Sequence, residues 1–293
     1  MIVLRAVSVC AASGLGDERV LDGETLFCAC PLAQFAQRRV APAAQFDPAA
    51  VVAQRKSLKL MNRAAQLAVA AARALPVPAR DRERAGLFLG VGMSGGEIAQ
   101  LAGLLDESLD GGEVDLAKMG ANGLARLNPL LSFHVLNNMP LCHVSIELGL
   151  GGPHGAIYAA GAEALDAFAA AADALAAGEA PWAIAGGADA PLDTVTLALR
   201  GGDERLAEAA ALALLLAVDE PAPGDLEWAE PGGADREITV EETAARFGDS
   251  LAASGALAVA EAVRILRMHA DVRSIAIRSA ALPSVSARLR RVG

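Results

Sequence analysis

The stretch over residues 155–186 constrains this chain more than any other. A short apolar run at 155–158 is followed by a small-residue turn at Gly161, an Ala-rich segment to about residue 177, and a second apolar run at 182–186 that ends in Gly186-Gly187-Ala188-Asp189. Short apolar runs bounded by glycine suit buried strands, and the Ala-rich segment between them is long enough to be a helix. Strand, turn, helix, strand is a βαβ unit, with the Gly161 turn at the carboxyl end of its first strand. A chain built around such a unit is an α/β protein whose sheet is covered by helices.

The remaining segments fit that class. Residues 2–10 read as a first strand, and Asp47-Pro48 supplies an N-cap and a first-turn proline for a long Ala-rich helix running to about residue 75, closed by Pro76 and Pro78. Residues 85–91 read as a buried strand, leading into the small-residue loop Gly92-Met93-Ser94-Gly95-Gly96 and a helix toward residue 109. Residues 110–123 read as loop, and a mixed segment after Asn128-Pro129 leads to a strand over 143–148. A further strand is expected over 209–218, then a Pro/Gly/Glu-rich connection over 219–233. Thr239-x-x-Glu242 has the form of a capping box before a helix interrupted near Gly248. A helix over 255–268 and strands over 274–278 and 285–289 complete the chain.

Composition narrows the function. Of 293 residues 54% are hydrophobic but only 3% aromatic, so the core is aliphatic and disorder is excluded over most of the chain. A net charge of -10 argues against nucleic acid or an anionic membrane as partner, since either repels such a surface. No apolar run reaches the length of a spanning helix, and the N-terminus lacks a signal-peptide pattern, so the expected location is the cytoplasm. Four cysteines (Cys10, Cys28, Cys30, Cys142) make no disulfide framework, and Cys28-Ala29-Cys30 is too closely spaced for a paired zinc knuckle. The loop at Gly92–Gly96 lacks the spacing and lysine of a phosphate-binding loop. No metal and no cofactor is expected. The basic clusters at residues 80–84 and 288–291 are expected to be solvated faces.

Three groups of residues carry a resemblance. Lys56-Ser57-Leu58-Lys59-Leu60-Met61-Asn62-Arg63 resembles an early helix, and Gly90-Val91-Gly92-Met93-Ser94-Gly95-Gly96 a strand and loop, of the beta-ketoacyl synthases, the condensing enzymes of fatty acid and polyketide synthesis. The most specific is Asn138-Met139-Pro140-Leu141-Cys142-His143-Val144-Ser145-Ile146, continuing through Gly149, Gly152-Pro153-His154 and Ala160-Gly161-Ala162 to Ala185-Gly186-Gly187-Ala188-Asp189. The resemblance covers residues from about 50 to 190. It implies the thiolase fold, a layered αβαβα sandwich of two related α/β halves that pairs with a second chain. In that family a cysteine on the strand-to-helix turn carries the acyl chain as a thioester, and two histidines of the second half assist decarboxylation of the extender.

The sequence departs from that pattern at each catalytic place. Gly161 stands at the nucleophile position and cannot form a thioester; Asp249, in Phe247-Gly248-Asp249-Ser250, stands where the second histidine belongs; and no His-Gly-Thr-Gly-Thr stretch supplies the first. The Gly-rich loop near the C-terminus is replaced by Ala280-Ala281-Leu282-Pro283. Family members run to roughly 400 residues as two halves, so the resemblance implies a complete half over 1–218 and a shortened one over 219–293 packed on it. What it implies in function is a non-catalytic subunit of the chain-length-factor kind, similar to the short factors of aryl polyene pathways. Such a subunit pairs with an active beta-ketoacyl synthase and, through it, meets an acyl carrier protein. Met119, Phe133, Leu136 and Met139 are the expected wall of the acyl tunnel. Two other readings stay open: an acyl transferase or hydrolase with His143 or His154 as base and Ser145 or Tyr158 as nucleophile, and a homodimeric acyl-binding scaffold. His134 and His269 are expected to be surface or satisfied helix residues.

Overall fold

In the computed structural model the described residues are 1–93, 98–158, 161–201, 204–280 and 286–292. Ser94, Gly95 and Gly96 of the expected loop, Ala160 of the nucleophile motif, and Ala281, Leu282, Pro283 and Val285 near the C-terminus lie outside them. The principal strands are β1 (Ile2–Ala11), β2 (Gly86–Val91), β3 (His154–Ile157), β4 (Trp182–Asp189), β5 (Ala209–Ala217), β6 (Leu226–Ala229), β7 (Arg236–Thr239), β8 (Ser274–Arg278) and β9 (Ser286–Arg291). The principal helices are α1 (Arg63–Ala74), α2 (Ile98–Ser108), α3 (Leu131–Val135), α4 (Met139–Leu148), α5 (Glu163–Ala176), α6 (Thr194–Leu199), α7 (Val240–Phe247) and α8 (Ser254–Met268).

The nine strands form one hydrogen-bonded path in the order β7-β8-β9-β6-β1-β5-β4-β2-β3. β2 lies parallel to both β3 and β4, as the βαβ reading requires, with β2 seated between the two strands that α5 connects. β5 runs antiparallel to β4 and to β1. β1 bulges between Leu4 and Ala6 and pairs with β6 there, so it joins the two parts of the sheet.

Alternation along the strands decides which helices each face can take. On β4 and β5 the residues facing α1 and α4 are large (Trp182, Ile184, Leu212, Leu214), and those facing α5 and α8 are mostly alanines (Ala183, Ala185, Ala211, Ala213). Small residues let α5 and α8 approach closely, and the second core they form is completed from beyond by Leu226, Ile238, Ile275, Ile277 and Leu289. The layers are therefore helix, sheet, helix, sheet, with α5 and α8 in the middle. Phe168 of α5 stacks on Trp228 of β6 at 5.1 Å between ring centroids, tying the central layer to the last one.

That last layer meets water with charge. Glu227 of β6 pairs with Arg290 of β9, and Arg278 of β8 pairs with Glu237 of β7 at 2.9 Å, while the alternate residues Leu289, Ile275 and Ile277 point inward and are fully buried. β7 runs parallel to β8 while β8, β9 and β6 are antiparallel, and a mostly antiparallel sheet with one apolar and one charged face needs no further cover. The shortened second half thus closes its fold without an outer helical layer among the described residues. Of the cluster at 288–291, expected to be a solvated face, Arg290 is exposed, Leu289 is buried, and half-buried Arg291 donates back to the Val272, Leu266 and His269 carbonyls.

Four expectations are corrected. The long helix over 47–75 is three pieces: Asp47 caps only Pro48–Val51, a 3-10 turn spans Arg55–Leu60, and α1 starts anew where the Asn62 side chain accepts from the Ala65 amide at 2.8 Å. The expected strand over 143–148 is helix α4. Pro140 sits in its first turn, Leu141, Val144 and Leu148 recur at helical spacing on its buried side, and Gly149 closes it in the left-handed region at φ 68. The connection over 219–233 contains β6, because Leu226 and Trp228 alternate with Glu227 against β9. Residues 110–123 are not simple loop: a hairpin pairs Leu109–Asp110 with Glu113–Val114, and helical turns follow over Leu116–Lys118 and Met119–Gly123.

The seat of α5 is a close backbone contact. A methyl group at Gly90 on β2 would fall 2.6 Å from the Ala164 amide nitrogen, which is backbone and cannot move aside cheaply. Gly90→Ala is expected to lower stability by about 1–3 kcal/mol, read as a lower urea midpoint at unchanged slope; an unchanged midpoint would contradict this packing.

Candidate functional site

Gly161 lies between β3 and α5 with φ 90, a conformation that suits glycine and strains other residues. Its amide faces the Glu163 carboxylate at 3.3 Å, and its carbonyl accepts from the Ser279 hydroxyl at 3.1 Å. Asp249 follows Gly248, which has φ 92 and ends α7. The Asp249 Oδ1 accepts from the Leu251 amide and the Ser254 hydroxyl, both at 2.9 Å, so the carboxylate is tied into the turn that starts α8. Leu251 is itself held at φ 45, a left-handed conformation rare for a branched side chain.

These two positions, about ninety residues apart in the chain, line one cleft of about 650 Å³ together with Tyr158, Glu163, Arg200, Val240, Glu241, Ala244, Leu251, Ser254 and Ala280. A second, more apolar cleft of about 300 Å³ adjoins it through Tyr158, Glu163, Arg200 and Leu251, and extends to Met93, Leu101, Val135, Val195 and Leu199. Glu163 stands at the junction, 8% exposed. Burial pushes its carboxyl above the ordinary range, and the neighbouring charges of Asp166 and Asp249 push the same way. At the floor, fully buried Asp189 ends β4, and its Oδ1 accepts from the Ala190 amide at 2.8 Å.

The cleft holds neither a thiol nor an imidazole. All four cysteines and all four histidines of the sequence fall among the described residues, and none of them lines it. Cys10 is buried under the sheet, its thiol pushed up to about 12 by burial, and Cys30 is buried as well. His134 and His143 instead hold the Arg55–Leu60 turn: their Nε2 atoms lie 2.9 Å from the Lys59 carbonyl and 3.2 Å from the Leu60 carbonyl. A carbonyl only accepts, so the proton sits on Nε2 in each ring. The expected His143/Ser145 pairing required a strand; on helix α4 two residues apart they diverge, and the Ser145 hydroxyl donates to the Leu150 carbonyl at 2.8 Å. The His154 ring turns back to the Gly152 carbonyl on edge strand β3.

The expected tunnel residues are elsewhere. Phe133 on α3 and Leu136 after it are 38% and 50% exposed, Met119 is half-buried in a helical turn, and Met139 at the start of α4 is buried; none lines either cleft. Tyr158, named from sequence as an alternative nucleophile, lines both clefts, as do Glu163 and Arg200, which sequence reasoning missed. Glu163, two residues past the turn glycine, was the legible one.

With this geometry in hand, the comparisons decide the family. The model of the beta-ketoacyl synthase N-terminal domain matches residues 31–202, more than half of the chain. The chain belongs to the beta-ketoacyl synthase family. A search of curated proteins gave no match. Among solved structures, the type II polyketide synthase complex AntDE:AntF, an acyl-carrier protein with its ketosynthase bound to the hexaketide, is similar at 12% identity and TM-score 0.74, covering 99% of each chain. The ishigamide ketosynthase/chain length factor is similar at 15% identity and TM-score 0.71, covering 100% of this chain and 99% of that one. The ketosynthase from module 6 of the bacillaene synthase of Bacillus subtilis, at 12% identity and TM-score 0.66, is matched over 100% of this chain but 70% of its own. At these identities the likeness is one of fold, and the fold is thiolase-like with a shortened second half.

The buried His143 gives a pH test. Burial lowers its pKa, and its Nδ1 has no partner to receive a proton's bond. An unfolded chain takes that proton near pH 6.5 whereas the folded one resists, so stability present at higher pH falls as pH drops below about 6.5. Between pH 7.5 and 5.5 the wild type is expected to lose more unfolding free energy than His143→Gln; equal losses by urea titration would contradict the assignment.

Proposed function

We propose that the chain is a catalytically silent ketosynthase-like subunit that pairs with an active beta-ketoacyl synthase and shapes the acyl chamber of the pair. One observation carries this reading: the cleft that gathers Gly161 and Asp249 is lined by no cysteine and no histidine. Thioester formation needs a thiolate or an activated hydroxyl, and decarboxylation in this family relies on imidazoles. Asp249 is bound to Leu251 and Ser254 and so serves the local turn.

Support for pairing comes from the edge of the sheet. β3 ends the strand path, and its outer side carries unpaired backbone groups among the described residues, the usual template for a second strand. Exposed apolar side chains include Leu130, Phe133, Val135 and Leu136 near α3, Ile146 on α4, and Tyr158 just past β3. Ile146 at 70% exposed and Leu136 at 50% are too apolar to leave in water without purpose. Phe133 and Leu136 are thus placed to meet a partner's chamber, where their bulk would limit product length. A ketosynthase/chain length factor is among the similar structures, and the aryl polyene type is the subclass proposed for this chain.

Co-expression with a candidate active synthase tests the reading. A 1:1 complex is expected, with condensing activity that the purified chain alone lacks. Ile146→Glu on the exposed face of α4 is expected to weaken that complex at least tenfold, because it buries a charge at the contact. Within the complex, Phe133→Ala is expected to lengthen the product. A chain that condenses alone, or a complex indifferent to Ile146→Glu with product lengths unchanged by substitutions at Met119, Phe133, Leu136 and Met139, would overturn it.

A further inference from the structure

On the far side of α6 from the two clefts lies a third cavity, of about 580 Å³, between residues 35–39 and described residues of 197–201 and 204–205. Its described lining is Phe35, Gln37, Arg38, Arg39, Leu197, Ala198, Gly201, Glu204 and Arg205. Three arginines face one carboxylate, in a protein whose net charge is -10. Among the described residues none of the three arginines forms an ion pair, although most other well-placed arginines of the chain do: Arg5, Arg63, Arg246, Arg264 and Arg267 each meet a carboxylate within 3.1 Å.

The three arginines differ in their duties. Arg38 is 8% exposed and its guanidinium donates to the carbonyls of Leu197, Arg200 and Glu204, so it neutralises the carbonyl end of α6. Its Nε is buried without a partner. Arg39 and Arg205 are exposed and both are oriented by Phe27: Arg39 donates to the Phe27 carbonyl, and the Arg205 guanidinium lies over the Phe27 ring at 5.1 Å from its centroid. One residue therefore holds two forks at the mouth of the same cavity, with the rest of their N–H groups unused by the described chain.

We propose that this cavity binds a phosphoryl group, as the phosphate of a small ester whose apolar part rests on Phe35, Leu197 and Ala198. Planar guanidinium groups match phosphate oxygens with paired, charge-assisted hydrogen bonds, and no ion pair among the described residues, including one to Glu204 in the same lining, occupies these arginines. The negative charge of the whole molecule does not forbid it, because charges more than about 8 Å away are screened at physiological ionic strength and the near charges dominate. Arg38 supplies the local potential while staying bound to α6, and Arg39 and Arg205 make the contacts. Gln37 adds an amide donor at the rim. The site is independent of the ketosynthase reading, since neither Gly161 nor Asp249 lines it.

The shared chemistry has two sources, a free phosphate ester and the phosphate of a carrier-borne pantetheine arm. Titration calorimetry of the whole purified chain with inorganic phosphate, 4′-phosphopantetheine and phosphate-free pantetheine separates them. Phosphate and phosphopantetheine are expected to bind and pantetheine is not. Binding of phosphopantetheine more than tenfold tighter than phosphate assigns the arm as the source, and equal binding assigns a free phosphate. Arg39→Ala/Arg205→Ala, both exposed and outside the core, is expected to weaken phosphate binding by about tenfold or more, while Arg80→Ala/Arg84→Ala in the other basic cluster leaves it unchanged. Raising the salt from about 0.05 to 0.5 M is expected to weaken binding in the wild type. Equal phosphate affinity in both double variants, or no phosphate binding at low salt by a chain with native thermal unfolding, would overturn the proposal.

Discussion

The closeness of α5 to the sheet sets everything else in this molecule. The helix rests on β2 at Gly90, where an added methyl group would stand 2.6 Å from the Ala164 nitrogen, and the turn before α8 rests on β4 at Gly187, where one would stand 2.4 Å from the Ala252 carbonyl oxygen. No side chain fits between these backbones, so the start of α5, the turn at Gly161 and the start of α8 converge on one place. The alanine faces of β4 and β5 extend the same economy of space across the central layer, which explains how a chain with 3% aromatic residues still fills its core.

That convergence is the geometry of a catalytic elbow, kept with other residues in it. A turn at the carboxyl end of a parallel strand points its first residue into a cleft at the helix N-terminus, where a thiolate would be stabilised. Here the residue is Gly161, and the neighbouring carboxylates Glu163 and Asp249 would oppose a thiolate. Glu163 is already pushed toward its neutral form by burial. The packing of the turn is kept, and no cysteine or histidine lines the cleft that it opens into. Such a scaffold suits a role in pairing and in shaping a chamber, and the uncovered edge at β3 lies beside the same turn.

Local patterning made the central layers legible. The βαβ unit over 155–186, the strands at 2–10 and 209–218, the capping box at Thr239 and the helix ending at Met268 could be read because apolar periodicity and caps agree there with the tertiary structure. Where they conflict, tertiary context won. The residues 143–148 look like a strand by composition, yet Pro140 and Gly149 bracket a helix whose buried side packs on α1. The segment over 47–62 has helical composition throughout, but Asn62 restarts it because its side chain caps α1. In the site, Gly161 and Asp249 were visible through the resemblance. Arg200 was not, because its place in both clefts depends on the position of α6, and no local pattern encodes that. Phe133 and Leu136 were expected in a buried wall and are exposed in the single chain.

The central claim is that the cleft at Gly161 cannot hold an acyl group covalently. Intact-mass spectrometry of the chain, purified alone and in complex with its synthase, after incubation with an acyl thioester, tests it most directly. The account predicts acyl mass on the synthase and none on this chain in either preparation. A stoichiometric acyl adduct on this chain would contradict it.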